Sequence, residues 1–273
     1  AFQWDLWLAT VLGLVFAHAT NNLLNDYTDS RRGIDKDNYY RNQYGVHVLE
    51  DGLMNERQFW RYLGVTAFIA LALGGWLVSQ RSGLTFDLML AGAFFVLFYT
   101  WPLKYYGLGE PAVLLVWGPL MVGGSYYVLA GQWSWDVAWL SLVFALGPTT
   151  VLFGKHTDKL EADRNKGVNT LPVILGERLS RYSVLAMIAA QYLLSIGLVL
   201  AGSFGWALLL VLISLPVLPG LFQVYRAPKP TGKPEGYPHE VWPLWFSAHA
   251  FRHTRRFTSL FLVGVILDTV IAG

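Results

Sequence analysis

The chain has 273 residues, of which 54% are hydrophobic and only 14% are charged, and it contains 12 tryptophans. This composition excludes an ordinary soluble domain of that length and indicates a polytopic membrane protein. The net charge of +2 identifies no charged partner, and the lack of cysteine excludes disulfides, thiolate nucleophiles and thiolate metal sites.

Apolar stretches of spanning length, about 20 residues each, recur along the whole chain. They lie near 6–25, 59–80, 83–101, 110–131, 135–154, 180–202, 204–224 and 257–272. The connections 27–58, 155–179 and 225–256 are long and polar, whereas three others are tight turns. We therefore predict an all-α membrane bundle of eight spanning helices around a central cavity, forming one domain over residues 1–273.

The basic residues indicate the orientation of this bundle in the membrane. Of the 20 Lys and Arg residues, all except Arg81 fall in the long connections, in the short 102–109 connection or in their flanks. The positive-inside rule places these connections in the cytoplasm. We predict an integral, multi-pass protein, of the plasma membrane if bacterial, with its long loops and active site on the cytoplasmic side.

A first acidic segment follows the first apolar stretch. Asn22, Asp26 and Asp29 share one face of a helix with His18. Oxygen ligands on adjacent turns suit Mg²⁺, which binds through one or two carboxylates together with the phosphates of a substrate. We predict a Mg²⁺ site for phosphate chemistry with Asp26 and Asp29 as ligands. The alternative is that both carboxylates only lie in the aqueous interface.

A second acidic segment follows the fifth apolar stretch. Asp158 and Glu161 share a helix face, whereas Asp163 lies about 140° from Asp158. A regular helix cannot direct all three acids at one ion, so either the helix loosens near Glu161 or only a subset binds metal. An ordinary charged helix end is the alternative. We expect the two acidic segments to face each other across one cavity.

Basic residues accompany both acidic segments. Membrane topology alone explains cytoplasmic cations, yet a diphosphate held by Mg²⁺ also needs them, because positive charge stabilises the leaving group. We select Lys104 as a candidate catalytic residue. Asn22, Arg31 and Arg164 are candidate diphosphate ligands.

The spacing of Asn22, Asp26 and Asp29 resembles the NxxxDxxD motif of the UbiA superfamily of intramembrane prenyltransferases. The stretches 25–35, 99–119 and 163–173 most closely resemble the branch that prenylates 1,4-dihydroxy-2-naphthoate in menaquinone synthesis. The resemblance implies nine helices, with one preceding Ala1. It also implies Mg²⁺-dependent transfer of an isoprenoid chain from a prenyl diphosphate to an aromatic, quinone-precursor-like acceptor. The expected partners are these two small molecules and the lipid bilayer, with no nucleic acid; protein partners are not indicated.

The second motif departs from the family pattern. The family usually has an Asp four residues before the position of Asp163, but Lys159 stands there and the acid has moved to Asp158. We predict Asp163 as the principal metal ligand of this segment and Asp158 as a secondary one, with Lys159 contacting the diphosphate directly.

Three other functions stay open. They are a family enzyme with a non-aromatic acceptor of the sugar phosphate, haem or chlorophyllide type, an inactive lipid- or quinone-binding subunit, and a transporter. A transporter is disfavoured because the acids lie at helix ends rather than in the middle of the bilayer.

Overall fold

The structure, a computed structural model, describes residues 2–34 and 45–272; Asp35, the last residue of one matched stretch, lies outside these ranges. The described chain forms helices and no β-strand. The helices are α1 (Trp4–Arg31), α2 (Glu56–Gln80), α3 (Leu84–Phe98), α4 (Gly109–Ala130), α5 (Trp135–Asp158), the short α6 (Leu160–Asn165), α7 (Leu171–Leu200), α8 (Trp206–Arg226) and α9 (Phe246–Ala272). The predicted all-α class is confirmed.

The eight long helices coincide with the eight apolar stretches. Six of them, α1, α2, α4, α5, α7 and α8, are long and apolar enough to cross a membrane, judged by length and composition. Helix α3 is shorter, and the first half of α9 carries Arg252, Arg255 and Arg256. Many large apolar side chains, such as Leu193 and Ile266, are exposed on the outside of the bundle, as lipid contact requires. The chain is an integral, multi-pass membrane protein.

Helix α5 is the centre of the bundle. It packs against α4, α7 and α9, and 61% of its most apolar stretch is buried, against 11% for α2. The main core lies among α5, α7, α8 and α9, where Val143, Val184, Leu208 and Phe257 are completely buried. The second half of the chain is thus a close-packed block, and α1–α3 lie beside it with a much smaller buried cluster.

The α5–α6 junction interrupts the helix within the second acidic segment. Helix α5 ends at Asp158, Lys159 has non-helical dihedrals (φ −112°, ψ 22°), and α6 begins at Leu160. The expected loosening of the helix therefore occurs, two residues before Glu161. As a result, Asp158 and Asp163 belong to different helices, and their directions do not follow one helical register.

Three connections meet at one end of the bundle. The Lys166 ammonium donates to the main-chain carbonyl of Ile34 at 2.5 Å, just beyond the end of α1. A backbone bridge joins Tyr106, between α3 and α4, to Asn169, between α6 and α7. Ile34, Tyr105 and Val168 form a small apolar cluster beneath these contacts. The junction holds the ends of α1, α3 and α6 together.

Candidate functional site

A polar cavity of about 170 Å³ lies where the end of α1, the 99–104 connection and the end of α5 meet. Its lining contains three asparagines, three lysines, one carboxylate and one histidine. The lining residues are Asn21, Asn22, Asn25, Asp29, Tyr99, Lys104, Leu152, Lys155, His156 and Lys159. Three lysines against one carboxylate give the lining a net positive charge, which favours an anion in this cavity.

Asp29 and Lys104 form a buried ion pair in the wall of this cavity. The Lys104 ammonium donates to Asp29 Oδ2 at 2.6 Å, and the two side chains are only 5% and 7% exposed, respectively. Burial by itself lowers the pKa of Lys104, but the negative charge of Asp29 and its hydrogen bond outweigh burial and raise it. Lys104 therefore carries its positive charge in the cavity.

Lys159 and Asp163 form a second buried pair across the α5–α6 junction. The Lys159 ammonium lies 3.0 Å from Asp163 Oδ1, and both side chains are at least nine-tenths buried. Lys159 lines the cavity, whereas Asp163 lies behind it. The two acidic segments thus meet at one cavity, and each supplies a carboxylate paired with a lysine.

His156 and Glu110 link the cavity to two further helices. Their side chains approach to 2.5 Å between Nδ1 and Oε1, and both are buried. The other carboxylate oxygen of Glu110 accepts the backbone N–H of Leu171, the first residue of α7. This carboxylate therefore holds α4, α5 and α7 together behind the lysines.

Asparagines of α1 fasten that helix to α3 and the residues after it. The Asn21 amide donates to the Val96 carbonyl at 3.2 Å, and the Thr100 hydroxyl donates to Asn25 Oδ1 at 3.2 Å. Asn22, between them, is exposed and lines the cavity. Two asparagines thus fasten α1 to its neighbours, and the third has its amide nitrogen 3.3 Å from His18 Nε2 within α1.

The structure brings four sequence-predicted site residues to the cavity lining: Asn22, Asp29, Lys104 and Lys159. Asp163 lies directly behind Lys159. Asp26 is half-buried one turn before Asp29, outside the lining, and its main-chain carbonyl contacts the His47 ring.

Three other sequence-predicted residues point away from the cavity. Arg31 is exposed and pairs with Glu56, and Arg164 is exposed and pairs with Glu161. Asp158 accepts hydrogen bonds at both carboxylate oxygens from the first residues of α9. The Asp158 carboxylate is turned toward α9 because the first N–H groups of that helix have no partner within it. Arg31 and Arg164 as diphosphate ligands and Asp158 as a metal ligand stay predictions that the contacts of this structure do not support.

Sequence reasoning missed several residues of the site. Glu110, Lys155 and Tyr99 were not selected, although Tyr99 and Glu110 begin and end the Tyr99–Glu110 part of one matched stretch. A carboxylate at the start of an apolar helix has an obvious interfacial explanation, and a lysine next to a span is explained by topology. Only the pairing of Glu110 with His156, 46 positions away, reveals its role.

A second, larger cavity is apolar. It has a volume of about 270 Å³ and lies among α1, α2, α3 and α4, with Leu14, Leu88, Gly92 and Leu120 in its lining. Along α1 the two cavities are consecutive, since Thr20 lines the apolar one and Asn21 the polar one. The α1 residues that line the apolar cavity thus end where those that line the polar cavity begin.

The residues at the cavity fit a divalent cation whose ligands come partly from protein carboxylates and partly from the phosphate oxygens of a substrate. Across residues 2–34 and 45–272, no three His, Asp or Glu side chains form a metal cluster. However, Asp29 Oδ1 and Asp163 Oδ2 are buried without a hydrogen-bond partner. Such an orphaned oxygen costs about 1–3 kcal/mol, and Mg²⁺ typically takes one or two carboxylates plus phosphate oxygens. The residues that the structure describes do not complete a metal site by themselves.

Comparisons with known proteins agree with this geometry. A 2-carboxy-1,4-naphthoquinone phytyltransferase from Synechocystis sp. is 29% identical over 221 residues, covering 78% of this chain and 69% of the relative. The UbiA prenyltransferase domain-containing protein 1 of Mus musculus is 26% identical, covering 81% of this chain and 66% of the relative. Its homolog in Drosophila melanogaster is 24% identical, covering 79% and 59%. The chain thus spans about two thirds of the length of these relatives.

The fold is shared with a solved structure. A UbiA homolog from Archaeoglobus fulgidus, bound to GPP and Mg²⁺, superposes with a TM-score of 0.63 at 15% identity over 96% of this chain and 90% of that one. The model of the UbiA prenyltransferase family matches residues 1–235. Since this match covers most of the chain, including every residue of both cavities, the chain belongs to the UbiA prenyltransferase family.

Proposed function

We propose that the chain transfers an isoprenoid chain from a prenyl diphosphate to an aromatic, quinone-precursor-like acceptor within the membrane. The observation that carries this proposal is that α1 lines both a cavity with three lysines and an apolar cavity, with successive parts of its length. A prenyl diphosphate has the same division, with a trianionic head and a hydrocarbon tail. The name of the Synechocystis relative, a naphthoquinone phytyltransferase, supports the acceptor class.

The lysines bind and stabilise the diphosphate. Lys104, Lys155 and Lys159 surround the polar cavity, and Asn22 adds an amide that can donate to a phosphate oxygen. Negative charge grows on the diphosphate as its bond to the prenyl carbon breaks, so cations fixed beforehand stabilise the transition state more than the ground state. Held in place by Asp29 and Asp163, Lys104 and Lys159 need little reorganisation.

Magnesium fits the same cavity. Asp29 and Asp163 would hold the ion through their unpartnered oxygens, with Asp26 as a further candidate on α1. When bound, Mg²⁺ would neutralise diphosphate charge and assist its departure. The Mg²⁺ in the Archaeoglobus structure supports this part of the proposal.

The prenyl cation left behind must be protected from water. The apolar cavity excludes water around the tail, and the Tyr99 ring in the polar cavity presents an aromatic face to the reacting carbon. The aromatic acceptor then forms the new carbon–carbon bond, and the electron pair of the broken C–O bond leaves with the diphosphate. The attacked ring carbon releases a proton, or carbon dioxide where it carries a carboxylate, and the ring regains its aromaticity.

The polar cavity lies at the end of the bundle where the long basic connections meet. By the positive-inside rule this end faces the cytoplasm, so the diphosphate enters from the aqueous side on which soluble prenyl diphosphates are available. We therefore place the site at the cytoplasmic face.

A product assay tests the proposed function. The full chain in lipid nanodiscs is incubated with geranylgeranyl diphosphate, Mg²⁺ and either 1,4-dihydroxy-2-naphthoate or a sugar phosphate, and products are identified by mass spectrometry. We expect a prenylated naphthoate product and its loss in excess EDTA. A product formed only with the sugar phosphate would contradict the acceptor class, and undiminished activity in EDTA would contradict the role of Mg²⁺.

The apolar cavity predicts how donor length is selected. Gly92 lines it, and a Cβ at this position would have no atom within 4 Å, so the side chain of Gly92→Leu starts in open space and reduces the volume of the cavity. We expect kcat/KM for geranylgeranyl diphosphate to fall about tenfold relative to dimethylallyl diphosphate, because lost apolar burial discriminates on this scale. Gly75→Leu is the control, since its site is equally open but lies outside the cavity. Equal ratios in both variants would place the tail elsewhere.

A further inference from the structure

Both carboxylate oxygens of Asp158 accept hydrogen bonds from the first turn of α9. Its Oδ1 accepts the Phe246 N–H at 2.9 Å, and its Oδ2 accepts the N–H and hydroxyl of Ser247 at 3.0 and 2.8 Å. The carboxylate is completely buried. A negative charge at a helix N-terminus is favourable, because the first N–H groups of the helix have no partner within it. Asp158 therefore ties the end of α5 to the start of α9.

Lys229, in the connection between α8 and α9, also contacts Asp158. The Lys229 ammonium donates to the main-chain carbonyl of Asp158 at 2.8 Å and lies 3.7 Å from its Oδ1. The backbone N–H of Lys229 donates to Glu177 Oε1 on α7 at 3.0 Å. One lysine thus satisfies a carbonyl at the end of α5 and joins it to α7.

The packing around Gly154 also shows that α9 lies very close to the end of α5. A Cβ at this position would lie 2.8 Å from the Cα and N atoms of Ser247. Because those are backbone atoms, an alanine could fit only if α9 moved away. Glycine one turn before Asp158 thus permits the close approach on which its hydrogen bonds depend.

Lys159, the residue after Asp158, connects these contacts to the polar cavity. With Asp158 held against α9, the chain leaves helical geometry at Lys159 and restarts as α6. The Lys159 side chain enters the polar cavity, where it is 6% exposed and pairs with Asp163. Lys159 and Asp163 are four residues apart, so an uninterrupted helix would pair them as well. What the contact of Asp158 with α9 fixes is the position of its sequence neighbour, Lys159.

We propose that Asp158 is a positioning residue: together with Gly154, Lys229, Phe246 and Ser247 it forms a clamp between α5 and α9 that holds Lys159 in the cavity. Asp158 acts through Lys159 and does not ligate metal. The clamp itself is independent of the proposed function. Its effect on diphosphate binding rests on that function.

Lysine labelling tests the clamp without reference to activity. The full chain in nanodiscs is treated with a water-soluble N-hydroxysuccinimide ester, and modification of Lys159 is measured by mass spectrometry. We expect labelling to rise about tenfold in Ser247→Ala, since one hydrogen bond to a charged group is lost, and also in Gly154→Ala. Ser247→Thr, which keeps the hydroxyl, should restore protection. Ser203→Ala, which removes a hydroxyl bonded to Asp136 elsewhere in the bundle, is the matched control and should change nothing.

Pyrophosphate binding and metal dependence test the consequence. In Asp158→Asn, Ser247→Ala and Gly154→Ala we expect a roughly tenfold weaker affinity for inorganic pyrophosphate and a raised KM for the prenyl donor. The Mg²⁺ concentration for half-maximal activity should not change. Protection of Lys159 in both Ser247→Ala and Gly154→Ala overturns the clamp. A higher Mg²⁺ requirement in Asp158→Asn, but not in Ser247→Ala, overturns it in favour of metal ligation. If the variants expose Lys159 while the wild type binds no pyrophosphate, the clamp stands and the proposed function fails.

Discussion

Asp29→Asn is expected to lower prenyl transfer roughly a hundredfold or more, a loss of the size seen when one preorganised charge-stabilising group is removed from an active site. The amide keeps the shape of the side chain but loses the charge that holds Lys104 at 2.6 Å. It also replaces the unpartnered Oδ1 with a group that binds Mg²⁺ less well. Release of diphosphate from a prenyl donor measures the effect.

Asp26→Asn, measured in parallel, separates the two carboxylates of the first motif. Both belong to the pattern that resembles the family, yet only Asp29 lines the cavity of the described structure. Glu161→Gln is the control, because that carboxylate is 74% exposed and pairs with the exposed Arg164. Full activity of both Asp variants would remove the first motif from the mechanism. An equal loss of activity in the control would show that the effect is not specific to the carboxylates of this motif.

The helical fold was largely predictable from hydropathy. The predicted boundaries of two helices were wrong for the same reason. The stretches 180–202 and 257–272 correspond to α7 and α9, which begin at Leu171 and Phe246. The N-terminal parts of both helices carry charged residues such as Arg178 and Arg252. Hydropathy detects the part of a helix that meets lipid, whereas a helix that extends beyond the bilayer or packs on other protein continues through polar residues.

The chemistry of the site was predictable, but its pairings were not. A stripe of acid and amide side chains on α1 indicated phosphate chemistry, and the need of a diphosphate for cations led to the selection of Lys104. The Asp29–Lys104 ion pair, however, joins positions 75 residues apart, and no local pattern predicts which lysine meets which acid. Arg31 and Arg164 illustrate the opposite case, since basic residues beside an acidic motif are equally well explained as an exposed, topology-setting charge.

The second motif shows how tertiary contacts override helical register. From the sequence alone, we treated Asp158 and Asp163 as part of one regular helix and compared the directions of their side chains at about 100° per residue. The structure instead ends α5 at Asp158, because Phe246 and Ser247, almost 90 positions later, provide the N–H groups that its carboxylate accepts. The preference for Asp163 as the ligand of this segment stays a prediction. It is supported by the orphaned Oδ2 of Asp163 and by the full use of both Asp158 oxygens.

Lys104→Met is expected to destabilise the protein by about 3–5 kcal/mol, the usual cost of removing one partner from a buried ion pair. The thioether matches the length of the lysine stem, so the main loss is the charge that compensates Asp29. Transfer activity should fall with it, because the cavity loses a cation that faces the departing diphosphate. Thermal unfolding in nanodiscs, followed by tryptophan fluorescence, measures the first effect, and diphosphate release measures the second.

The double variant Asp29→Asn/Lys104→Met separates stability from catalysis. Removing both partners leaves no uncompensated buried charge, so most of the lost stability should return, giving a favourable coupling between the two substitutions. Activity should not return, since both the anionic ligand and the cation have gone. If the double variant recovers activity along with stability, the ion pair only supports the fold. If the single Lys104→Met variant is fully stable, Asp29 is neutralised by another group, and Lys104 is not the partner that the 2.6 Å contact indicates.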